Sequence, residues 1–198
     1  MSMKVILVND GSSQDISEGK EEIIKALGAE CFWVEYAENK GKGYALREGV
    51  KHSQADCIMI TDHDIPYTYG SMIEMYENLE FHPVVIGHRD EDYYKDLPFL
   101  RVKISHYLKT INSFILRLNT DDTQCGLKVF RKSVKPIFLK TETNRFLIDI
   151  EFLRRLKKAK IPALVLDVKS RENVEMSTLG IRTIFSELIS YAKIFLKT

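Results

Sequence analysis

The chain has 198 residues, 44% of them hydrophobic, which is enough for one substantial core and too short for two independent domains. Its 29 basic and 28 acidic side chains nearly cancel to a formal net charge of +1, so no global field gathers nucleic acid or an anionic membrane, and any anion site must be local. No stretch approaches the roughly 20 apolar residues needed to cross a bilayer, and the N-terminus lacks a signal-peptide pattern, so the expectation is a cytoplasmic protein.

Lys4 to Asn9 is a short, almost wholly apolar run followed at once by the turn signal Asp10-Gly-Ser-Ser13, and it reads as a strand buried on both faces, as in parallel sheets. A helical pattern over Glu18 to Leu27 leads to a strand over Cys31 to Tyr36. The turn Asn39-Lys-Gly-Lys-Gly43 then opens a helix over Tyr44 to His52, and strands follow over Cys57 to Thr61 and Val84 to Gly87. Phe99 to Leu118 carries Ile104, Leu108, Ile111 and Ile115 at helical spacing and is long enough for a major helix. Gln124 to Arg131 reads as a further strand, and Phe146 to Lys158 as a helix with Ile150, Leu153 and Leu156 inward. Ala163 to Val168 is a last strand, and an amphipathic helix runs from about Thr178 to the end. Strand and helix alternation predicts one α/β domain over 1–198 with right-handed crossovers. Cys31, Cys57 and Cys125 lie far apart without a CxxC spacing, so they read as reduced, mostly buried thiols.

In open α/β sheets ligands bind beyond the carboxyl ends of the strands. Those ends carry Asn9-Asp10-Gly11-Ser12, Asp62-His63-Asp64 and Gly87-His88-Arg89-Asp90. Asp62 and Asp64, one residue apart, can converge on one cation, and hard oxygen donors favour Mg2+ or Mn2+. Such an ion would bridge them to a diphosphate and stabilise negative charge on a departing group; the plainer alternative is a pair of loop or helix-capping aspartates. Asn39 to Gly43 could offer free backbone N–H groups and basic side chains to a nucleotide, or be only a flexible connection. It lacks the spacing of a P-loop.

In order and spacing, NDGSSQD, NKGKGYALREG, ADCIMITDHD, VVIGHRD, DTQCGLKVFR and FLIDIEFL resemble glycosyltransferase family 2, the GT-A enzymes. Within it the Asp-Thr-Gln-Cys-Gly block and the helix bearing Asp149 and Glu151 look most like the polyprenyl-phosphate sugar synthases. The resemblance runs from Met3 to about Val168. It implies a Rossmann-like GT-A fold with a mostly parallel central sheet flanked by helices. The family's usual first strand and its Pro-x-Tyr-Asn-Glu-like segment have no counterpart, so the expected sheet is N-terminally truncated.

The resemblance implies that Asp10 contacts the nucleobase, that Lys42 and Gly43 lie near the nucleoside, and that Asp62 and Asp64 form the DxD pair holding metal and diphosphate. Arg89 would meet a phosphate through its guanidinium fork, unless it only pairs with Asp90. Asp122, Thr123, Gln124 and Gly126 would shape the acceptor side, with Asp149 and Glu151 supporting it or else paired with Arg145 or Arg155. The implied reaction moves a hexose from a UDP- or GDP-linked sugar to a polyprenyl phosphate or a glycan, with inversion. Asp64, through the ion, and Asp122, as the base a hydroxyl acceptor would need, stand nearest the chemistry. The C-terminal helix could lie on the inner face of a membrane through Arg182, Lys193 and Lys197, or pack on the domain or on a second copy in a homodimer. The rival reading is a catalytically silent glycosyltransferase-like partner module.

Overall fold

The computed structural model of the chain describes residues 3–89, 122 and 125–171. The apolar run at the start forms β1 (Val5–Asp10), which pairs in parallel with β2 (Cys31–Tyr36), in register from Val5 opposite Cys31 to Asp10 opposite Tyr36. The crossover between them carries α1 (Ser17–Leu27). Next come α2 (Lys42–His52), β3 (Cys57–Ile60), α3 (Tyr69–Glu77) and β4 (Val84–Arg89). After β5 (Lys128–Arg131) follow the short α4 (Lys135–Leu139), α5 (Ile148–Lys158) and β6 (Leu164–Val168).

The last four strands form one sheet in the order β3-β5-β4-β6. β5 runs antiparallel to both β3 and β4, whereas β4 and β6 are parallel. Five of the strands thus fall into parallel sets with β5 reversed, and the expected α/β architecture is present. Side-chain alternation splits this sheet into two apolar faces. Ile58, Ile60, Val84, Ile86 and Phe130 point towards α4 and α5, whereas Val85, Leu127 and Val129 point towards Met75 and Leu79. Phe130, Phe138 and Phe152 meet ring to ring at 5.0 to 5.5 Å between centroids, contacts worth about 0.5–1.5 kcal/mol per pair beyond burial.

Four expectations change. Every residue of β1 is only partly buried, and α1 has no buried residue, so β1 is not covered on both faces. Its cover comes from α2, where Gly49 lies against Ile6 and Val8; among the described residues its second edge has no partner strand. Of the three thiols, all free, only Cys125 is buried. The sequence pattern does not single out α3 or α4, which are short; α3 is set by its cap, the Thr68 hydroxyl accepting from Ser71 N at 3.3 Å. The strand expected from Gln124 is confined to Lys128–Arg131, with Cys125 to Leu127 buried before it. The helices expected over Phe99 to Leu118 and from Thr178 onward lie outside the described residues.

Candidate active site

The carboxyl end of β1 is tied to the loop after β2. Both Asp10 carboxylate oxygens accept main-chain hydrogen bonds, from Lys40 N and Gly41 N at 2.8 Å each, while Asn39 Nδ2 donates to the Asp10 carbonyl at 2.8 Å. Gly41 has φ 97, and a side chain there would overlap the Asn144 carbonyl. That carbonyl accepts from Gly43 N at 2.8 Å and Tyr44 N at 3.3 Å. Lys40 N and Gly41 N are thus taken up by Asp10, and Gly43 N and Tyr44 N by Asn144, so for these four amides the turn acts as a structural connection, the plainer of its two sequence readings. Asp10 holds this loop rather than projecting into open space. Lys40 extends its ammonium over the rings of Tyr36 and Tyr44, 5.4 and 4.8 Å from their centroids.

Lys42, the first residue of α2, points instead to the tip of β3. Its Nζ lies 2.5 Å from Asp62 Oδ1, with the lysine side chain 27% and the aspartate 33% exposed. Burial alone would lower the Lys42 pKa, but the charges of Asp149 and Asp62 and the hydrogen bond to Asp62 outweigh it and hold the ammonium above its ordinary value. Behind Asp62 lies Gly126, where a methyl group would overlap the carboxylate, Oδ2 first. Gly126 is itself positioned by the buried Tyr67, whose hydroxyl accepts from Gly126 N at 3.1 Å and from Cys125 Sγ at 3.3 Å. The turn after Asp62 is tight: Ile65 N donates to the Asp62 carbonyl at 3.0 Å, and Ile65, though β-branched, takes φ 43. Arg171 clamps it from the chain after β6, donating from Nη2 to the Asp64 carbonyl at 2.7 Å and from N to the Pro66 carbonyl at 2.8 Å. The Asp64 side chain is exposed at the rim.

At the end of β4, Arg89 closes on Asp122; Asp90, its other expected partner, lies outside the described residues. Arg89 N and Nε donate to Oδ2 at 2.9 and 2.8 Å, and Nη2 donates to Oδ1 at 2.6 Å. Asp122 is 1% exposed and Arg89 14%, so this is a buried bidentate fork. The sequence reading makes Asp122 a base only for a hydroxyl acceptor; in the structure its carboxylate accepts three hydrogen bonds from Arg89 and so fixes that guanidinium.

Asp149 and Glu151 have separate jobs. Asp149 pairs with Lys128 Nζ at 2.7 Å, both fully or nearly buried. Glu151 accepts from Glu142 N at 2.9 and 3.0 Å, Thr143 N at 2.8 Å and Arg155 Nε at 2.8 Å, which orders the segment presenting Asn144 to α2. Its expected alternative partner, Arg155, is thus confirmed, and its support of the site is indirect.

The structure therefore brings Lys42, Asp62, Gly126 and, through charge, Asp149 and Arg89 into one cluster. It leaves Asp64 on the rim and Glu151 behind the loop. Thr123 and Gln124 lie outside the described residues. Lys128 and Tyr67 are not among the residues the sequence points to; the readable signal for Lys128 is a lysine in the inward register of an apolar strand.

A divalent ion fits this donor set in a limited way. Among the described residues no group of three or more His, Cys, Asp or Glu side chains converges, so of these residues Asp62 and, at the rim, Asp64 are the carboxylates that would hold it, with phosphate and water in the rest of the shell. The ammonium on Asp62 shows that this carboxylate is placed to receive positive charge.

An α/β arrangement with carboxylates and cations gathered at the carboxyl ends of its strands places the chain in the Rossmann-like class of folds. Within that class, residues 2–138 match the family described as glycosyl transferase family 2, and the chain belongs to that family. It is 28% identical to a dolichyl-phosphate β-glucosyltransferase of Trichomonas vaginalis, over 96% of this chain and 61% of that protein. The dolichyl-phosphate β-glucosyltransferase of Homo sapiens is 25% identical over 80% of this chain and 53% of its own length. The chain thus spans between half and two thirds of these curated relatives. Among solved structures, mannosyl-3-phosphoglycerate synthase from Rubrobacter xylanophilus superposes with a TM-score of 0.64 at 14% identity, covering 98% of this chain and 62% of the other. Glucosyl-3-phosphoglycerate synthase from Mycobacterium tuberculosis, solved with Mn2+, UDP and glucosyl-3-phosphoglycerate, does so with 0.57 at 16%, covering 94% and 68%. The shared fold is GT-A.

Proposed function

We propose that the chain is a hexosyltransferase domain that transfers a sugar from a UDP- or GDP-linked donor to a polyprenyl-phosphate lipid. The observation that carries this reading is Asp62 at the tip of β3, backed by Gly126 and already holding a cation, the Lys42 ammonium. The names of the relatives favour a lipid-phosphate acceptor, and the neighbour solved with Mn2+ and UDP favours a metal-bridged nucleotide. Asp62 and Asp64 would hold Mg2+ or Mn2+, which supplies Lewis-acid stabilisation of the departing nucleotide diphosphate.

This chain's residues would do the rest by positioning and charge. Asp10 fixes the loop that delivers Lys42, and Lys42 adds positive charge beside the leaving group. Arg89, oriented by Asp122, faces a phosphate of donor or acceptor. A lipid phosphate is anionic at neutral pH and needs no base, which suits an Asp122 committed to Arg89. Among the described residues no helix is long and apolar enough to cross a membrane. The apolar and basic sequence pattern of residues 179–197 is what supports contact with the inner face of a membrane.

Calorimetry with UDP, GDP and their sugars, with and without Mn2+, tests the reading. Metal-dependent nucleotide binding is expected in the wild type and lost in Asp62→Asn. No binding in any condition rejects it in favour of the catalytically silent module.

A further inference from the structure

Lys42 and a divalent ion would draw on the same carboxylate, that of Asp62. Asp62 Oδ2 is the oxygen nearest Gly126, where an added methyl group would overlap it. Oδ1 is where the Lys42 ammonium sits, at 2.5 Å. An ammonium and a divalent cation cannot share one carboxylate at that distance without strong mutual repulsion. The lysine has a flexible four-carbon stem and a second carboxylate within electrostatic reach, Asp149, which Lys128 keeps in place. It can therefore leave Asp62 without losing all its counter-charge, and a diphosphate arriving with the metal would offer a third anionic partner.

Resting on the proposed metal and nucleotide site, we propose that Lys42 is an internal cation that competes with the divalent metal for Asp62, so that metal binds well only when a nucleotide diphosphate draws the ammonium away. Metal alone then binds weakly, nucleotide raises its affinity, and by linkage metal raises that of nucleotide by the same factor. The device keeps the acidic tip of β3 neutralised between substrates and ties loading of metal to loading of donor.

The test is a titration with Mn2+, reading free ion by electron paramagnetic resonance, on wild type, Lys42→Met and Lys42→Arg, each alone and with UDP or GDP. Circular dichroism and melting temperature verify that the variants fold. Without nucleotide, Lys42→Met is expected to bind Mn2+ about tenfold more tightly than wild type, because a repelling charge is gone, while Lys42→Arg stays near wild type. The enhancement of Mn2+ affinity by nucleotide should shrink in Lys42→Met. If wild type shows nucleotide-enhanced Mn2+ binding but Lys42→Met binds the ion alone no more tightly, the competition is wrong while the functional reading stands. If no protein binds Mn2+ even with nucleotide, both fall.

Discussion

Lys128 occupies the inward register of β5, where alternation places an apolar side chain, and its ammonium is buried against Asp149 at 2.7 Å while also donating to the Cys125 carbonyl. Removing one member of a buried ion pair leaves an uncompensated charge and costs about 3–5 kcal/mol. Lys128→Met should therefore destabilise the domain by that amount in urea unfolding, and adding Asp149→Leu should recover a large part of the loss. A smaller change tests the site itself. Gly126→Ala puts a methyl into the Asp62 carboxylate, so Mn2+-dependent nucleotide binding should weaken far more than the unfolding midpoint shifts. At this scale the sequence makes Asp62 legible, since two aspartates at the end of an apolar strand advertise themselves. It does not reveal that Asp10 spends its carboxylate on Lys40 N and Gly41 N, because main-chain donors carry no side-chain signature. Nor does it pair Lys128 with Asp149, residues brought together only when α5 packs on the sheet.

The elements around the site are held by a relay that begins on α5. Glu151 secures residues 142 and 143, and the adjoining Asn144 carbonyl receives the first amides of α2, the helix that carries Lys42. Burial would raise the Glu151 pKa, but hydrogen bonds from Thr143, Arg155 and Glu142 prevail and hold it below its ordinary 4.5. A depressed folded-state pKa means that this contribution is fully present above about pH 4.5 and is lost as pH falls through the lower folded value. Glu151→Gln should thus be less stable than wild type at neutral pH, and the gap should narrow on acidification, as followed by unfolding midpoints across that range. The i,i+4 spacing of Glu151 and Arg155 is visible in the sequence, and their pairing holds. The clamp on the loop is not visible, because it depends on where residues 142–144 lie after α4. Short α3 and α4 escape notice for a related reason: few turns carry little periodic signal.

Across the molecule, strand and helix alternation is enough to read the α/β class, while the distribution of burial is not. The four-stranded sheet is apolar and covered on both faces, with Val84, Val85, Val129 and Phe130 all fully buried. β1 is equally apolar in composition, yet its residues stay partly exposed, because cover depends on neighbouring strands and helices that its own sequence does not encode. The consequence is an uneven stability. The β1–β2 pair is held by one parallel ladder and by α2, with no buried residue in either strand or in α1. Segments with few buried apolar contacts open locally at lower free energy than the global unfolding. Native-state hydrogen exchange should therefore show amides of Val5–Asp10 and Cys31–Tyr36 exchanging well before those of Val84–Arg89, under conditions where the latter exchange only by global unfolding. Nucleotide with Mn2+ should slow exchange in β1 and at the start of α2 selectively, because Asp10 and Lys42 couple that half to Asp62. Uniform protection across both halves would mean that the domain opens as one unit, and donor binding would then have no loosely held half to order.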